Sequence, residues 1–330
     1  MNSRVLAAGV LAAGLTLAAC GGSTASAPRS SSAPMSPAPA SRPAAGSPCG
    51  QGIAAPARYD HIYLFVFENL SYASYLNDDL PYLHSLAAKC GLATNYSAVA
   101  HPSLPNYLAM TSGGTQGLAG KDSSPSNPGS LAADNIFNEV KLSGRQWRSY
   151  SESMPSNCYH ADYPPAPNAY YTVHHEPAVY YADIAADCKN SDVPQGTTTS
   201  GAMINDINSG NLPAFAFIGP NDDGGCRTCG GHVDPQKLDG YLRKWLPHIF
   251  ATRSYRVGKS AIFITWDESD STSSNQVAMI AVAPSIQAGT QSPIAFNHYS
   301  LLRSIEEMLG ISNLMGSAAT APSMRSAFSM

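Results

Sequence analysis

Charged side chains are scarce in this sequence: 19 Lys+Arg and 23 Asp+Glu make up 13% of 330 residues, where soluble domains carry about 25%. With a net charge of −4 there is no cationic excess to attract a polyanion, which argues against nucleic acid as a partner. A 44% hydrophobic content at so small a net charge excludes intrinsic disorder over most of the length. Internal repeats are absent. The longest apolar run, near the amino terminus, has about 16 residues against the ~20 that a membrane span needs. No second Cys-x-x-Cys accompanies Cys226-Arg-Thr-Cys229, so a four-cysteine zinc site is not encoded either.

What is present begins with that apolar run. Residues 1–19 hold one cation, Arg4, and end in Leu17-Ala18-Ala19 before Cys20, the small residues that a signal peptidase accepts. Leu-Ala-Ala-Cys resembles a bacterial lipobox, which implies cleavage before Cys20 and lipidation of its sulfur; a retained anchor is the alternative. In residues 21–48, 24 of 28 residues are Ala, Ser, Pro or Gly, a composition that buries too little surface to fold and reads as a tether. The expected chain is therefore exported and lipid-anchored to the outer face of the membrane, or secreted, with residues 1–19 as signal, 20–48 as tether and 49–330 as one folded domain. Six cysteines remain, and an even number in an exported chain predicts disulfides. Pairing in order gives Cys49–Cys90, Cys158–Cys188 and Cys226–Cys229, among fifteen connectivities. For the last pair, half a zinc site and a redox motif are competing readings.

Short apolar runs at 61–67, 214–218, 260–266 and 277–282 read as buried strands. Helical spacing occupies 80–90, 239–250 and 299–309. Strands alternating with helices predict an α/β fold, a single large domain whose doubly wound, mostly parallel central sheet is flanked by helices. Residues 113–194, richer in Tyr, Pro and polar residues, are expected to hold loop-rich insertions.

Ligands of open α/β sheets bind at the carboxyl ends of strands, and there the sequence places its polar pairs. Glu68-Asn69 follows the first strand, Asn221-Asp222 follows the one at 214–218, and Asp267-Glu268 follows the one at 260–266. Singly, each pair is equally readable as a solvated turn or helix cap. Together, their oxygens suit a hard divalent cation. A second signal is His101-Pro-Ser-Leu-Pro-Asn-Tyr107, where prolines flank Ser103 at the mouth of a helix-like run. That setting orients a hydroxyl towards an anion site, or makes Ser103 an N-cap.

Glu68-Asn69, the His-Pro-Ser-Leu-Pro-Asn-Tyr segment, Gly219-Pro-Asn-Asp222, Trp266-Asp-Glu268 and His298-Tyr-Ser-Leu-Leu-Arg-Ser-Ile-Glu306 occur in one order. The set closely resembles the bacterial phosphoesterase family of secreted acid phosphatases and phospholipases C, similar in fold to alkaline phosphatase, and spans about 59–310. The resemblance implies a phosphate-ester substrate and a phosphoserine intermediate on Ser103. It further implies one divalent metal ion of unspecified identity, held by Glu68, Asn69, Asp267 and Glu268. Glu268 departs from the family's frequent Asp. His175, in His175-Glu-Pro-Ala-Val-Tyr180, and His232, in His232-Val-Asp234 before Asp239, match the family's histidine segments and are expected to be catalytic. The cysteine-bearing insertion before His232 weakens that match. Asn106 and His298 are expected to bind substrate phosphate, with Asn106 readable also as orienting the serine loop or capping a turn. The other six histidines are read as structural. A phosphomonoesterase of acid-phosphatase type, with phosphoinositide headgroups among its candidate substrates, ranks first. A phospholipase C-type phosphodiesterase and a non-enzymatic surface lipoprotein are the alternatives.

Overall fold

The computed structural model describes residues 46–122, 128–221, 234–270 and 274–330. Cys20, Asp222, Cys226, Cys229 and His232 lie outside them, as do the signal and almost all of the tether. The strands are β1 (His61–Phe67), β2 (Gly91–Ser97), β3 (Trp147–Ser151), β4 (Asp192–Pro194), β5 (Phe215–Gly219), β6 (Ser260–Trp266), β7 (Gln276–Val282), β8 (Thr290–Ser292) and β9 (Phe296–Asn297). They form one sheet in the order β4-β3-β5-β1-β6-β7-β2-β8, with β9 also on β2. Every pairing is parallel except those of β7, which runs against both β6 and β2.

Side chains alternate between the faces of a strand, so the unbroken buried runs of β1 and β6 require cover on both sides. Two packed helix pairs contribute it: Pro81–Lys89 with Pro235–Phe250, and Ser103–Ser112 with His298–Leu309. The mostly parallel α/β architecture is the one the hydrophobic pattern predicts. Residues 113–194, expected as loops, contribute the helix Ile136–Leu142 and two strands instead. β3 escaped detection because its sequence, WRSYS, is half polar: Ser149 and Ser151 are buried against a carboxylate rather than against apolar groups.

Register at the centre of the sheet builds the site. β1 and β6 run level from His61 opposite Ser260 to Phe67 opposite Trp266. The Asp267 N–H then donates to the Phe67 carbonyl at 2.9 Å. Glu68 and Asp267 therefore leave the carboxyl edge side by side. Disulfides Cys49–Cys90 and Cys158–Cys188, both paired as sequence order predicts, close loops of 41 and 30 residues. No helix among the described residues is long and apolar enough to cross a membrane.

Candidate active site

Asn69 makes the turn after β1 with φ +44°, a left-handed conformation that Asn tolerates better than most side chains. Its backbone N–H donates to Asp267 Oδ1 at 3.1 Å and its Nδ2 to Glu68 Oε2 at 2.7 Å, so one residue ties both carboxylates. Glu68 Oε1 meets His175 Nε2 at 2.9 Å and accepts from the Tyr107 hydroxyl at 3.4 Å. The His175 ring stacks on Tyr107 with centroids 5.3 Å apart.

Ser103 opens the helix Ser103–Ser112, every residue of which is buried. Its hydroxyl hydrogen-bonds to Glu268, whose Oε2 lies 2.7 Å from His101 Nδ1. Asp122 accepts the Leu104 N–H at 2.9 Å and pairs with His174 Nε2 at 3.3 Å. The helix closes at Gly113, with φ +73°, where a Cβ would stand 2.2 Å from the Met315 carbonyl. Only glycine fits that turn.

Three carboxyl groups, the half-buried Glu68 and the buried Asp267 and Glu268, thus share one corner, and their electrostatics conflict. Burial would raise Glu68, but the charge and hydrogen bond of His175, with the hydrogen bond to Asp267, overcome it and hold the carboxyl down at about 2. Asp267 is pushed well above the usual carboxylate range by burial and by the negative charge of Glu68. Burial, then the charges of Glu68 and Asp122, push Glu268 up to about 8. Like-charged neighbours cannot all ionise without a cation. The buried Asp267 Oδ2 meets no N–H or hydroxyl donor, only the Glu68 carboxyl with which it can share a proton. An all-oxygen donor set in which one carboxyl faces another fits a hard divalent cation.

The structure brings together Ser103, Glu68, Asn69, Asp267, Glu268 and His175. Asn106 and His298, expected to bind substrate phosphate, instead turn their polar atoms to partners within the protein. Asn106 is fully buried and saturated: Oδ1 accepts from Val99 and Ala100 N–H, both at 3.0 Å, while Nδ2 donates to the Ala100 and Pro102 carbonyls. It staples the loop before Ser103. His298 is fully buried, and burial lowers its imidazole to about 4. A carbonyl can only accept, so Nε2–H donates to Asp267 O at 2.6 Å and Nδ1 accepts from Tyr96 at 2.8 Å. Neither ring nitrogen remains for phosphate. Asn221, after β5, binds Glu152 through its backbone N–H and Ser153 through Nδ2. Asp234 caps the helix Pro235–Phe250, and Asp239 is held by Leu83 N–H and Arg243.

Sequence reasoning passed over His101, His174 and Asp122, reading the two histidines as structural. The signal for His101 was its place at the head of the serine motif; Asp122, nineteen residues downstream of Ser103, gave none. Glu176 was missed as an anchor: Ser149 and Ser151 hydroxyls donate to its carboxylate, fixing the turn that carries His175.

A family model described as the phosphoesterase family matches residues 57–312. Phosphatidylinositol-3-phosphatase of Mycobacterium tuberculosis is 30% identical over 278 residues, 82% of this chain and 84% of that protein. Phosphate-repressible acid phosphatase of Penicillium chrysogenum is 29% identical over 239 residues, 70% of this chain; the chain covers only 55% of that relative's length. Among solved structures, a protein in the alkaline phosphatase superfamily from Vibrio parahaemolyticus shares the fold. Its TM-score is 0.53 at 11% identity, over 83% of this chain and 74% of that one.

Proposed function

The chain belongs to the phosphoesterase family, hydrolases of phosphate esters, and from that premise we propose that it is an exported phosphomonoesterase whose nucleophile is Ser103. The observation that carries this reading is a buried hydroxyl at a helix N-terminus, hydrogen-bonded to Glu268 within a cluster of buried carboxylates. A phosphate monoester is anionic and repels nucleophiles, so catalysis rests on charge neutralisation and positioning. Glu68, Asn69, Asp267 and Glu268 would hold a divalent cation, which would supply that positive charge and lower the serine pKa.

The chain's own groups divide the remaining work. Asn106 fixes the Ser103 loop, and His298 holds the Asp267 carbonyl from behind. Ser103 Oγ gives up its proton to solvent and attacks phosphorus, and the ester P–O bond breaks. His101, paired with Glu268 and 41% exposed at the site's mouth, protonates the departing alkoxide. Water then hydrolyses the phosphoserine. His175 stays against Glu68, and His232, which lies outside the described residues, is proposed as catalytic on its sequence motif alone.

A signal ending at Ala19, lipidation at Cys20 and a tether to residue 48 would hold the catalytic domain, 49–330, at the outer membrane face. Two disulfides agree with an oxidising compartment. The mycobacterial relative's name puts phosphoinositide monoesters among the substrates to assay.

The test is p-nitrophenyl phosphate turnover with and without chelator, together with acid-quench trapping of phosphoenzyme. Wild type should lose activity on chelation and trap one phosphate per chain. Ser103→Ala should do neither, and turnover retained by that variant would overturn the assignment.

A further inference from the structure

Beside the carboxylate corner, the sheet edge opens into a cleft of about 810 Å³. It spans the carboxyl ends of β1, β5, β3 and β4, where Phe67, Asn221, Glu152 and Thr197 line it. Such a volume falls within the ~300–1,000 Å³ of small-molecule sites, and strand ends are where open α/β sheets bind ligands. Two links join the cleft to the corner. Phe67 directly precedes Glu68 in the chain. Glu152 and Pro220, which line the cleft, also wall a cavity of about 10 Å³ that His175 lines.

The helix Pro235–Phe250 forms the facing wall. Lys237, Tyr241 and Lys244 recur at spacings of four and three, so they share one helix face, and they line the cleft together with Trp245. Tyr241 packs edge-on against Phe67 with ring centroids 5.8 Å apart and lies 6.4 Å from Trp245, which fixes an aromatic wall. Both lysines are exposed. The carboxylates of the cleft are engaged by backbone donors: Glu152 accepts the Asn221 N–H at 3.1 Å, and Asp234 accepts those of Gln236 and Lys237 at 3.1 and 3.2 Å. An aromatic wall receives the face of a ring, and ammonium groups receive an anion.

Resting on the phosphomonoesterase reading, we propose that this cleft holds the alcohol half of the substrate and selects esters whose alcohol carries a ring and a second anionic group. The ring lies against Tyr241 and Trp245, and the second anion meets Lys237 and Lys244, while the phosphoryl group to be transferred stays at Ser103. A phosphorylated cyclitol and a nucleoside bisphosphate share this chemistry.

The experiment uses the full chain carrying Ser103→Ala, so that ligands bind without turnover. Calorimetry compares inositol 1,3-bisphosphate, inositol 3-phosphate and adenosine 3′,5′-bisphosphate. At least one bisphosphate should bind tenfold or more tighter than the monophosphate, and whichever is tighter identifies the ring. Adding Lys237→Gln and Lys244→Gln together should reduce that ratio to near one without shifting the thermal transition. Equal affinity for all three ligands, or a ratio that the lysine exchanges leave intact, would overturn the proposal. Binding here needs no hydrolysis, so an inactive wild type with the ratio intact would count against the phosphatase reading and not against the ligand chemistry of the cleft.

Discussion

His101 and Glu268 meet at 2.7 Å, Glu268 also bonding the Ser103 hydroxyl, and the imidazole is 41% exposed. A group so placed matters in proportion to the basicity of the leaving oxygen. We expect His101→Asn to lower kcat for an alkyl phosphate by about 10²-fold, within the range of general acid catalysis. For p-nitrophenyl phosphate, whose phenolate leaves without help, the loss should be several times smaller. An equal loss on both esters would mean that His101 only positions Glu268. Asn106 shows why residue roles were only partly legible. Its place in the serine motif was visible, but no sequence says whether an amide faces the cleft or its own backbone. Four backbone partners decide that here, and the same holds for the two ring nitrogens of His298.

Along the helix His298–Leu309, Glu306 carries a second buried carboxyl conflict, remote from the carboxylate corner. Its Oε1 accepts the Met315 N–H at 2.8 Å while Oε2 has no partner. Burial pushes this carboxyl up to about 8, the Met315 hydrogen bond opposing and Glu139 adding to the rise. In the unfolded chain the group ionises near its ordinary value of 4.5. Between those values the folded state holds the extra proton, so stability falls as pH rises through the interval. Glu306→Gln keeps the acceptor and removes the titration. Its Tm should match wild type near pH 5 and exceed it by about 3 °C or more at pH 8.5, at roughly 2–4 °C per kcal/mol for a large domain. A pH-independent difference would locate the cost in packing. The elements themselves were legible where burial was two-sided: β1 and β6 read directly as apolar runs. β3, β8 and β9 did not, because a half-polar or two- to three-residue strand is fixed by its partners rather than by its own pattern.

Across the whole molecule, the scarcity of charge and its concentration at one sheet edge belong together. With 13% charged residues, the chain nonetheless buries Asp267 and Glu268, with Glu68 half-buried beside them, where parallel strands end. That placement was readable in sequence because the carboxylates follow apolar runs directly; their mutual contact depended on the level register of β1 and β6, which no local pattern encodes. The arrangement trades stability for function, since like charges are held together until a cation joins them. A divalent cation that binds only the folded state should stabilise wild type by about 2.7 kcal/mol at one hundred times its dissociation constant, several degrees in Tm. Asp267→Asn keeps the oxygen that accepts the Asn69 N–H and removes a carboxyl that burial and Glu68 disfavour in its ionised form. In chelator this variant should melt above wild type, and on adding cation it should gain little while wild type overtakes it. The crossing of the two orders, read by thermal melts with and without chelator, separates a metal-holding carboxylate from a structural one. If Asp267→Asn melted below wild type in chelator, the Asp267 carboxyl would be serving the fold through its contact with Glu68 rather than holding a cation.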